Sequence, residues 1–351
     1  MSDQRIIRWG VCGTGKIATD FVRVLLLLPG TSIVAVGSRH AETASSFADR
    51  FNILRMYDSY EALASDPDIE VVYVSTPTSF HVEHSLMFLR AGKSVVCEKA
   101  MAEDLEGAIQ VLEEASARRL FFLHGVWSRF FPAMEAIQDQ ISSGRIGTVV
   151  SAHASFCQND GALPCSAMLE TGIYVVQFLL WAFLSQNSGS EDCQYTVDSV
   201  RLDVDELSGL DRHCAALLRF SNGGIGTLEC SLRHPSPREA TICGTSGVIR
   251  VPFPFWCPSK FSVQNMTGTG SQIFSDEDFF DFPLPMEAVA SGRGPDGPFN
   301  FVNSEGLLYE AAEVNRCLRM GLLESPKFDN ASCREVMATI SAIRGGISTP
   351  L

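Results

Sequence analysis

The sequence predicts an α/β protein with two domains, a doubly wound parallel sheet followed by an α+β domain with a large, open, mostly antiparallel sheet. First, 351 residues exceed what one ordinary hydrophobic core holds together. Second, apolar strand segments alternate with helical segments over residues 5–125, as in parallel sheets. Third, long strand-like segments separated by turns follow residue 130. We therefore expect two domains, one at 1–126 and one at 127–351.

In the first domain, glycine or another turn residue separates nearly all the predicted elements. The predicted strands are IIRWGVCG, SIVAVGS, IEVVYVS, KSVVCE and LFFLHG, and the predicted helices are IATDFVRVLLLL, AETASSFADRF, SYEALASD, HVEHSLMFLRAG and LEGAIQVLEEASARR.

The second domain is predicted to contain more strand than helix. Its predicted strands are TVVSAHASF, SVRLDV, HCAALLRFS, GIGTLECSLRH, EATICGTSGVIRV and KFSVQ, and its predicted helices are PAMEAIQDQISSG, residues 166–184, SEGLLYEAAEVNRCLRMG and a short helix near 331–343. The stretch 266–300 is rich in Gly, Ser, Asp and Pro and predicts a long loop. The last helices are expected to pack back on the first domain.

Composition and charge exclude several classes of function. The formal net charge of −14 disfavours nucleic acid and anionic membrane surfaces as partners. Eleven cysteines without a C-x-x-C pair favour buried thiols in a reducing compartment over disulfides or a zinc site, so no metal is predicted. The run VLLLLPG is too short to span a bilayer, and the polar first residues do not resemble a signal peptide. We expect a cytoplasmic protein.

The segment GTGKIA, at 13–18, has the pattern G-x-G-x-x-A directly after the first predicted strand. The first glycine permits a tight turn, the second lets a diphosphate approach the backbone, and Ala18 allows close helix packing. The helix N-terminus attracts the anion. A tight turn without a ligand is the alternative. The predicted cofactor-binding residues here are Gly13, Thr14, Gly15, Lys16 and Ile17.

The end of the second strand bears on which dinucleotide binds. An enzyme specific for NAD usually has Asp or Glu there to accept from the ribose hydroxyl. This chain has Ser38, Arg39 and His40 instead, and a guanidinium suits a 2′-phosphate. These residues favour NADP over NAD, although Arg39 could also be solvated or stack on the adenine without selecting.

A charged pair, Glu98 and Lys99, ends the apolar strand SVVC. Doubly wound sheets bind ligands at the carboxyl ends of their strands. A lysine partly withdrawn from water has a lowered pKa and can exchange protons near neutral pH. Beside a nicotinamide, Lys99 could protonate or deprotonate the oxygen of a carbonyl/alcohol couple. The alternative is a surface salt bridge.

The sequence resembles the Gfo/Idh/MocA oxidoreductases. The segments carrying this resemblance are the glycine turn, STPTSFH at 75–81, AGK at 91–93 and CEK at 97–99. It implies an N-terminal Rossmann domain and a C-terminal α/β domain whose open sheet often forms a dimer interface, so we expect a homodimer. Within the family, the chain is most similar to the branch of dimeric trans-1,2-dihydrodiol dehydrogenases and NADP-dependent D-xylose 1-dehydrogenases. The segments similar to that branch are RWGVCGTGKIATDF, VWSRFFPAMEAI, TGIYVVQF, FWCP and GPFNFVNSEGLLYEAAEV.

The resemblance also implies roles for individual residues. Lys99 would handle the proton, Tyr174 would hydrogen-bond the reacting oxygen, and Glu170 would be the acidic residue of the same catalytic set. Thr76, Pro77, His81 and Glu98 would lie on the nicotinamide side. Around the substrate pocket, the matching positions are Trp127, Arg129, Phe156, Trp256 and Phe301. Aromatic walls suit the apolar face of a sugar or cyclic diol, although core packing is the usual role of a single aromatic residue.

Three departures from the family pattern matter. Ala100 replaces the proline that usually follows the lysine, which is expected to free the backbone there. Glu170 stands where aspartate is usual, and residues 159–166 are shorter than the corresponding glycine-rich segment. The leading hypothesis is an NADP-dependent oxidoreductase acting on a sugar, such as an aldopyranose, or on a cyclic diol. The alternatives are an NADPH-dependent biosynthetic carbonyl or imine reductase and a catalytically silent NADP(H)-binding regulator.

Overall fold

The computed structural model describes residues 5–159, 165–184, 194–267, 274–285, 293–294 and 297–346. Contacts divide the chain into two compact units. Unit 1 comprises Met1–Phe130 and Pro283–Arg334, and unit 2 comprises Phe131–Phe282 and Glu335–Leu351. Much of the C-terminal segment therefore belongs to the same compact unit as the N-terminal sheet.

Unit 1 contains a six-stranded parallel sheet with the order β3-β2-β1-β4-β5-β6, which confirms the predicted doubly wound fold. Its strands are β1 (Ile7–Cys12), β2 (Thr31–Gly37), β3 (Arg55–Tyr57), β4 (Val71–Val74), β5 (Ser94–Glu98) and β6 (Phe122–Gly125). The sequence analysis did not predict β3, because three residues are too short for a recognisable alternation of polar and apolar side chains.

The helices of unit 1 agree with the predicted segments. They are α1 (Lys16–Leu27), α2 (Ala41–Phe51), α3 (Tyr60–Ala64), α4 (His81–Arg90), α5 (Leu105–Arg118) and α8 (Leu307–Arg319). The core includes Phe21, which stacks on Tyr73 with ring centres 3.8 Å apart. The buried indole of Trp9 donates to Asn315 Oδ1 at 3.1 Å, which ties α8 to the central strand.

Unit 2 contains an eight-stranded sheet with the order β14-β13-β12-β11-β7-β10-β9-β8. Only the β7–β10 pair is parallel, which confirms the predicted open, mostly antiparallel sheet. Its strands are β7 (Val149–Cys157), β8 (Tyr195–Val204), β9 (Asp211–Phe220), β10 (Ile225–Ser231), β11 (Ala240–Gly244), β12 (Gly247–Val251), β13 (Lys260–Asn265) and β14 (Asp278–Asp281). The homodimer expected through this sheet stays a prediction.

The loop predicted at 266–300 is wrong in part. Strand β14 lies within it and pairs with β13 at the sheet edge, where Phe280 stacks on Phe261 with ring centres 4.6 Å apart. This cross-strand contact was not visible in a composition rich in turn residues. Two short strands, β15 (Arg293–Gly294) and β16 (Gly297–Pro298), also pair there. The rest of the prediction at 268–273, 286–292 and 295–296 lies outside the described residues.

Among the described residues, a helix packs on one face of the unit 2 sheet, and the opposite, open face has exposed side chains. The helices of this part of the chain are α6 (Pro132–Ser142), a π-helix at Met168–Gly172, α7 (Ile173–Leu184) and α9 (Asn330–Arg344). Helix α7, almost entirely buried, packs on β7 and β10. Alternate residues such as Ala152 and Leu228 are buried beneath it, whereas His153 points to the open face. Within the described residues, we find no helix with the length and apolarity needed to cross a membrane.

Candidate active site

The predicted glycine turn joins β1 to α1 and fits an anion. Gly13 has φ +107°, and a Cβ there would lie 2.9 Å from Ser75 Oγ and 3.1 Å from Ser75 O, so a side chain cannot be accommodated. Gly15 begins α1 without any side-chain cap, and a Cβ there would meet nothing within 4 Å. The first N–H groups of α1 therefore face an open space that suits the diphosphate of a dinucleotide.

The end of β2 presents the groups predicted to meet the adenosine ribose. Ser38 is buried, and its Oγ lies 2.6 Å from Thr43 Oγ1. Arg39 is exposed, with its guanidinium 5.8 Å from the ring centre of Phe80, and His40 directly precedes α2. A cation beside a helix N-terminus is a suitable place for a phosphate.

Asp20 connects α1 to the chain around Phe301, a connection that sequence reasoning missed. The buried Asp20 carboxylate accepts from the backbone N–H of Asn300 at 2.9 and 3.0 Å and from its side-chain amide at 2.7 Å. It also accepts from the N–H of Phe301 at 3.3 Å. Phe301, predicted to line the substrate pocket, is 47% exposed. The available signal was a lone carboxylate inside an otherwise apolar helical segment.

The strand tip that carries Lys99 is built around a buried carboxylate. Glu98 ends β5, is 8% exposed and accepts a hydrogen bond from the hydroxyl of Tyr73. Its other oxygen lies 3.2 Å from the backbone N of Lys99, which donates to it. Lys99 itself is partly buried. Glu98 therefore orders the backbone from which the lysine side chain projects.

Histidine hydrogen bonds hold the backbone after Lys99. The peptide bond between Lys99 and Ala100 is cis. His81 places Nδ1 2.7 Å from Ala100 O and Nε2 2.6 Å from Thr76 O, and the N–H of Met101 donates to His124 Nε2 at 3.1 Å. These bonds restrain the segment in which the family's proline is missing.

Burial lowers the pKa of both histidines, but hydrogen bonds to backbone carbonyls oppose this effect only at His81. It lowers the pKa of His81, while the hydrogen bonds to the Ala100 and Thr76 carbonyls act in the opposite direction. Burial lowers the pKa of His124 to about 3, so this ring is neutral at physiological pH and its Nε2 can accept from Met101. His124 was not identified from the sequence, because its partner N–H comes from a different strand end.

Three further residues of unit 1 were predicted to lie near the nicotinamide or the substrate. Pro77 is exposed and precedes a 3₁₀ turn at Thr78–Phe80. Trp127 is buried in the 3₁₀ helix Trp127–Phe130. Arg129 donates to Lys327 O at 3.0 Å, and its guanidinium lies 5.0 Å from the ring centre of Phe328. The substrate-binding roles of Trp127 and Arg129 stay predictions.

In unit 2, three residues predicted to act on the substrate lie together. Phe156 stacks on Trp256 with ring centres 4.0 Å apart and lies 5.7 Å from the ring of Tyr174. Glu170 is partly exposed in the π-helix, four residues before Tyr174. Arg238 was missed, and its guanidinium lies 5.7 Å from the ring centre of Trp256. The departure at 159–166 falls mostly on residues 160–164, which lie outside the described part of the chain.

Family models match both the N-terminal and the C-terminal part of the chain. A family model described as oxidoreductase family, NAD-binding Rossmann fold, matches residues 7–125, and one described as GFO/IDH/MocA C-terminal domain matches residues 134–250. A trans-1,2-dihydrobenzene-1,2-diol dehydrogenase of Danio rerio is 36% identical, covering 93% of this chain and 92% of the relative. The chain belongs to the Gfo/Idh/MocA oxidoreductase family. The enzyme of the same name from Mus musculus is 34% identical over 91% of this chain and 90% of its own.

Solved structures show the same fold as this Gfo/Idh/MocA protein. A 3-ketoreductase from Actinomadura kijaniata superposes with a TM-score of 0.78 at 22% identity, covering 97% of this chain and 98% of its own. A levoglucosan dehydrogenase superposes with a TM-score of 0.79 at 17% identity, covering 99% of each chain. The family model and the relatives from Danio rerio and Mus musculus, rather than this shared fold, show that the chain is a dehydrogenase or reductase with an NAD(P)-binding Rossmann domain.

One further carboxyl group of this family member was missed from the sequence. Glu310 of α8 is fully buried, and among the described residues neither of its carboxyl oxygens has a hydrogen-bond partner. Burial, together with the charge of Glu98, raises the pKa of Glu310 well above its ordinary value. Burial therefore favours the neutral, protonated form of this carboxyl group. The available signal was a carboxylate on the apolar face that Leu307, Ala311 and Val314 form.

Replacing Glu310 with glutamine tests this protonation state. In the unfolded chain Glu310 is ionised above about pH 4.3, whereas the raised pKa means that the folded chain releases this proton only at a higher pH, so the wild type loses stability as pH rises between the two pKa values. We expect the free energy of unfolding of Glu310→Gln to match that of the wild type near pH 5. At higher pH it should exceed the wild-type value by up to about 1.4 kcal/mol for each pH unit. Chemical-denaturation midpoints between pH 5 and 8 measure the difference.

Glu313 on the same helix is the matched control with the opposite sign. Burial would raise the pKa of Glu313, but hydrogen bonds from Arg316 and Ser325 outweigh it and lower the pKa to about 2. Glu313→Gln should therefore destabilise the protein at pH 7, and the loss should shrink as pH falls towards 2. If Glu310→Gln shows no rising advantage with pH, the buried neutral acid is refuted.

Proposed function

We propose that the protein is an NADP-dependent oxidoreductase that moves a hydride between the nicotinamide and a CH–OH/C=O carbon of a cyclic diol or sugar. The observation that carries this proposal is the turn at Lys99. Its backbone is held by Glu98 on one side and by His81 and His124 on the other, at the carboxyl edge of the parallel sheet. A lysine on a restrained backbone at the ligand-binding edge suits proton transfer to a positioned oxygen.

Lys99 is proposed to be the catalytic proton donor and acceptor. When bound, NADP+ supplies the hydride acceptor. In the oxidative direction Lys99 would accept the proton that the substrate hydroxyl group loses. In the reductive direction the ammonium of Lys99 returns that proton to the carbonyl oxygen. Tyr174 is proposed to hydrogen-bond the same oxygen, and Glu170 to act with it, as the family resemblance implies.

The cofactor preference is proposed from the end of β2. Arg39 is exposed beside the start of α2, where a carboxylate would be expected in an NAD-specific site. The 3-ketoreductase structure is described as a complex with NADP, and the levoglucosan dehydrogenase structure as a complex with NADH. The relatives therefore use both cofactors, and Arg39 favours NADP for this chain.

The substrate class is proposed from the aromatic cluster of unit 2. Phe156 and Trp256 stack, and Tyr174 adds a hydroxyl at the edge of the same cluster. Such a surface suits the apolar face of a ring that carries hydroxyl groups. The curated relatives are named for a cyclic diol, trans-1,2-dihydrobenzene-1,2-diol, which fits this chemistry.

Turnover with a defined panel tests the proposal. We expect the purified protein to reduce NADP+ in the presence of trans-1,2-dihydrobenzene-1,2-diol, cyclohexane-1,2-diols or aldopyranoses such as D-xylose, followed by absorbance of the reduced nicotinamide. NAD+ should support a lower kcat/KM. Turnover only with NADPH and a ketone or imine would instead support a biosynthetic reductase. Binding of NADP(H) without turnover in either direction would support a silent regulator, which Ala100 and Glu170 make the second candidate.

A further inference from the structure

Four side chains with metal-binding chemistry converge in unit 2 and have no part in the proposed hydride transfer. They are Cys157, His213, Glu229 and His234. We propose that they form a structural site for one divalent transition-metal ion, with Zn²⁺ as the best fit. The inference depends on the unit 2 sheet alone and is independent of the proposed oxidoreductase function.

Strand register brings the first three side chains to one face of the sheet. Strand β10 lies between β7 and β9, and Ser231 of β10 pairs with Cys157 on one side and with His213 on the other. Glu229 lies two residues before Ser231, so its side chain projects from the same face. This is the face opposite α7, because the intervening Cys230 is fully buried and adjacent strand residues alternate.

The fourth side chain arrives from the segment that follows β10. The Oγ of Ser231 lies 3.1 Å from Nδ1 of His234 and also accepts from the N–H of Arg233 at 3.1 Å. With a proton on Nδ1 shared with Ser231, the Nε2 atom of His234 is available as a ligand. Metal-bound histidines are commonly oriented in this way through their second ring nitrogen.

The distances between ligand atoms match a tetrahedral site. Glu229 Oε1 lies 3.0 Å from His213 Nε2 and 3.3 Å from His234 Nε2. Ligand atoms of Cys157, Glu229 and His234 all lie within 4.8 Å of one another. Bonds of about 2.0–2.3 Å around a tetrahedral Zn²⁺ leave neighbouring ligand atoms roughly 3.3–3.6 Å apart. Cys157, Glu229 and His234 already form a compact cluster, and His213, which lies against Glu229, would turn towards it to complete the shell.

The ligand types select the metal and the kind of site. A thiolate with two imidazoles suits Zn²⁺ and disfavours Mg²⁺ and Ca²⁺, which prefer all-oxygen shells. Four protein ligands leave no open position, which is typical of structural rather than catalytic zinc. Cys157 ends β7 and His234 follows β10, so a bound ion would fasten the segment after β10 to the sheet.

Titration of the reduced, metal-free full-length protein with Co²⁺ and then Zn²⁺ tests the site. We expect one Co²⁺ per chain, with visible d–d bands of tetrahedral geometry and a thiolate-to-cobalt charge-transfer band. Zn²⁺ should displace Co²⁺ and raise the thermal unfolding midpoint, because it binds the folded state. A cobalt spectrum without the thiolate band, or no binding of Co²⁺ or Zn²⁺ at equimolar concentration, would overturn the proposal.

Variants on one sheet separate ligands from bystanders. Ser231→Ala removes a partner that orients His234 and should weaken Zn²⁺ binding by about 10- to 100-fold. His234→Gln and Glu229→Gln remove a ligand and should weaken Zn²⁺ binding at least as much. His153→Gln on β7 and Cys243→Ser on β11 are matched controls that should bind Zn²⁺ like the wild type. Cys157 is buried, so Cys157→Ser is interpreted only where circular dichroism shows a folded protein. Equal weakening by the control variants would refute the assignment, whether or not the protein turns over NADP+.

Discussion

Replacing Lys99 with methionine is expected to lower kcat/KM with NADP+ by about 100- to 10,000-fold, the usual contribution of a positioned general acid or base. Methionine keeps an unbranched side chain of similar length but cannot exchange a proton. The Lys99 backbone N–H donates to Glu98, and the Ala100 carbonyl accepts from His81; neither bond involves the lysine side chain, so the turn should persist. Steady-state kinetics on the best substrate of the panel measure the loss.

Two controls make this result specific. NADP+ affinity, measured by isothermal titration calorimetry, should stay close to that of the wild type in Lys99→Met. Lys260→Met removes an exposed lysine of β13 and should leave turnover unchanged. A Lys99→Met protein with wild-type turnover would remove the lysine from the mechanism, whereas a matching loss of NADP+ binding would reassign it to the cofactor.

Replacing Arg39 with alanine is expected to weaken NADP+ binding by about 10- to 150-fold, because a hydrogen bond to a charged group contributes about 1.5–3 kcal/mol. NAD+ has no 2′-phosphate, so its affinity should change little. The preference for NADP+ over NAD+ should therefore fall by nearly the whole factor. Dissociation constants for both dinucleotides in the wild type and the variant measure the effect.

The alternative role of Arg39 can be separated in the same series. Its guanidinium lies 5.8 Å from the ring centre of Phe80, so it could also stack on a planar group. Arg39→Lys keeps the charge and loses the planar group. If Arg39→Ala weakens NADP+ and NAD+ equally, stacking rather than phosphate recognition is its role. Arg50→Ala, on α2 but away from its N-terminus, is the matched control.

Sequence patterns identified those site features whose structure depends only on residues nearby in the chain. The glycine turn was predicted correctly because its requirement is local. Gly13 adopts φ +107° within a strand-turn-helix unit that six residues define. The charged tip at Glu98 and Lys99 was equally visible, since a buried strand seldom ends in two charges. The family resemblance predicted the aromatic residues of unit 2 one by one as substrate-site residues. The structure shows that Phe156, Tyr174 and Trp256 lie together.

Groups whose partners are distant in sequence were missed. Asp20 accepts a hydrogen bond from Asn300, which is 280 residues away in the sequence, and no local pattern predicts that pair. His124 receives its N–H from Met101 at the end of another strand. Glu310 is an acid on an apolar helix face, a pattern that was present but had no meaning until the burial of the helix was known. Strand β14 was not predicted, because the stretch around it is rich in turn residues and it forms a strand only by pairing with β13.

The sequence by itself determined the order of elements, the Rossmann turn, the charged strand tip and the family, because these depend on periodicity and on motifs within short segments. Only the tertiary structure decided what holds Lys99 in place where the proline is absent, namely the imidazoles of His81 and His124. It alone also placed Cys157, Glu229 and His234 together, with His213 beside Glu229, although the spacing of the cysteines had predicted no metal. The physical reason is that sheet register and burial bring together residues that are remote along the chain, and they set which side chains lose water and which find partners.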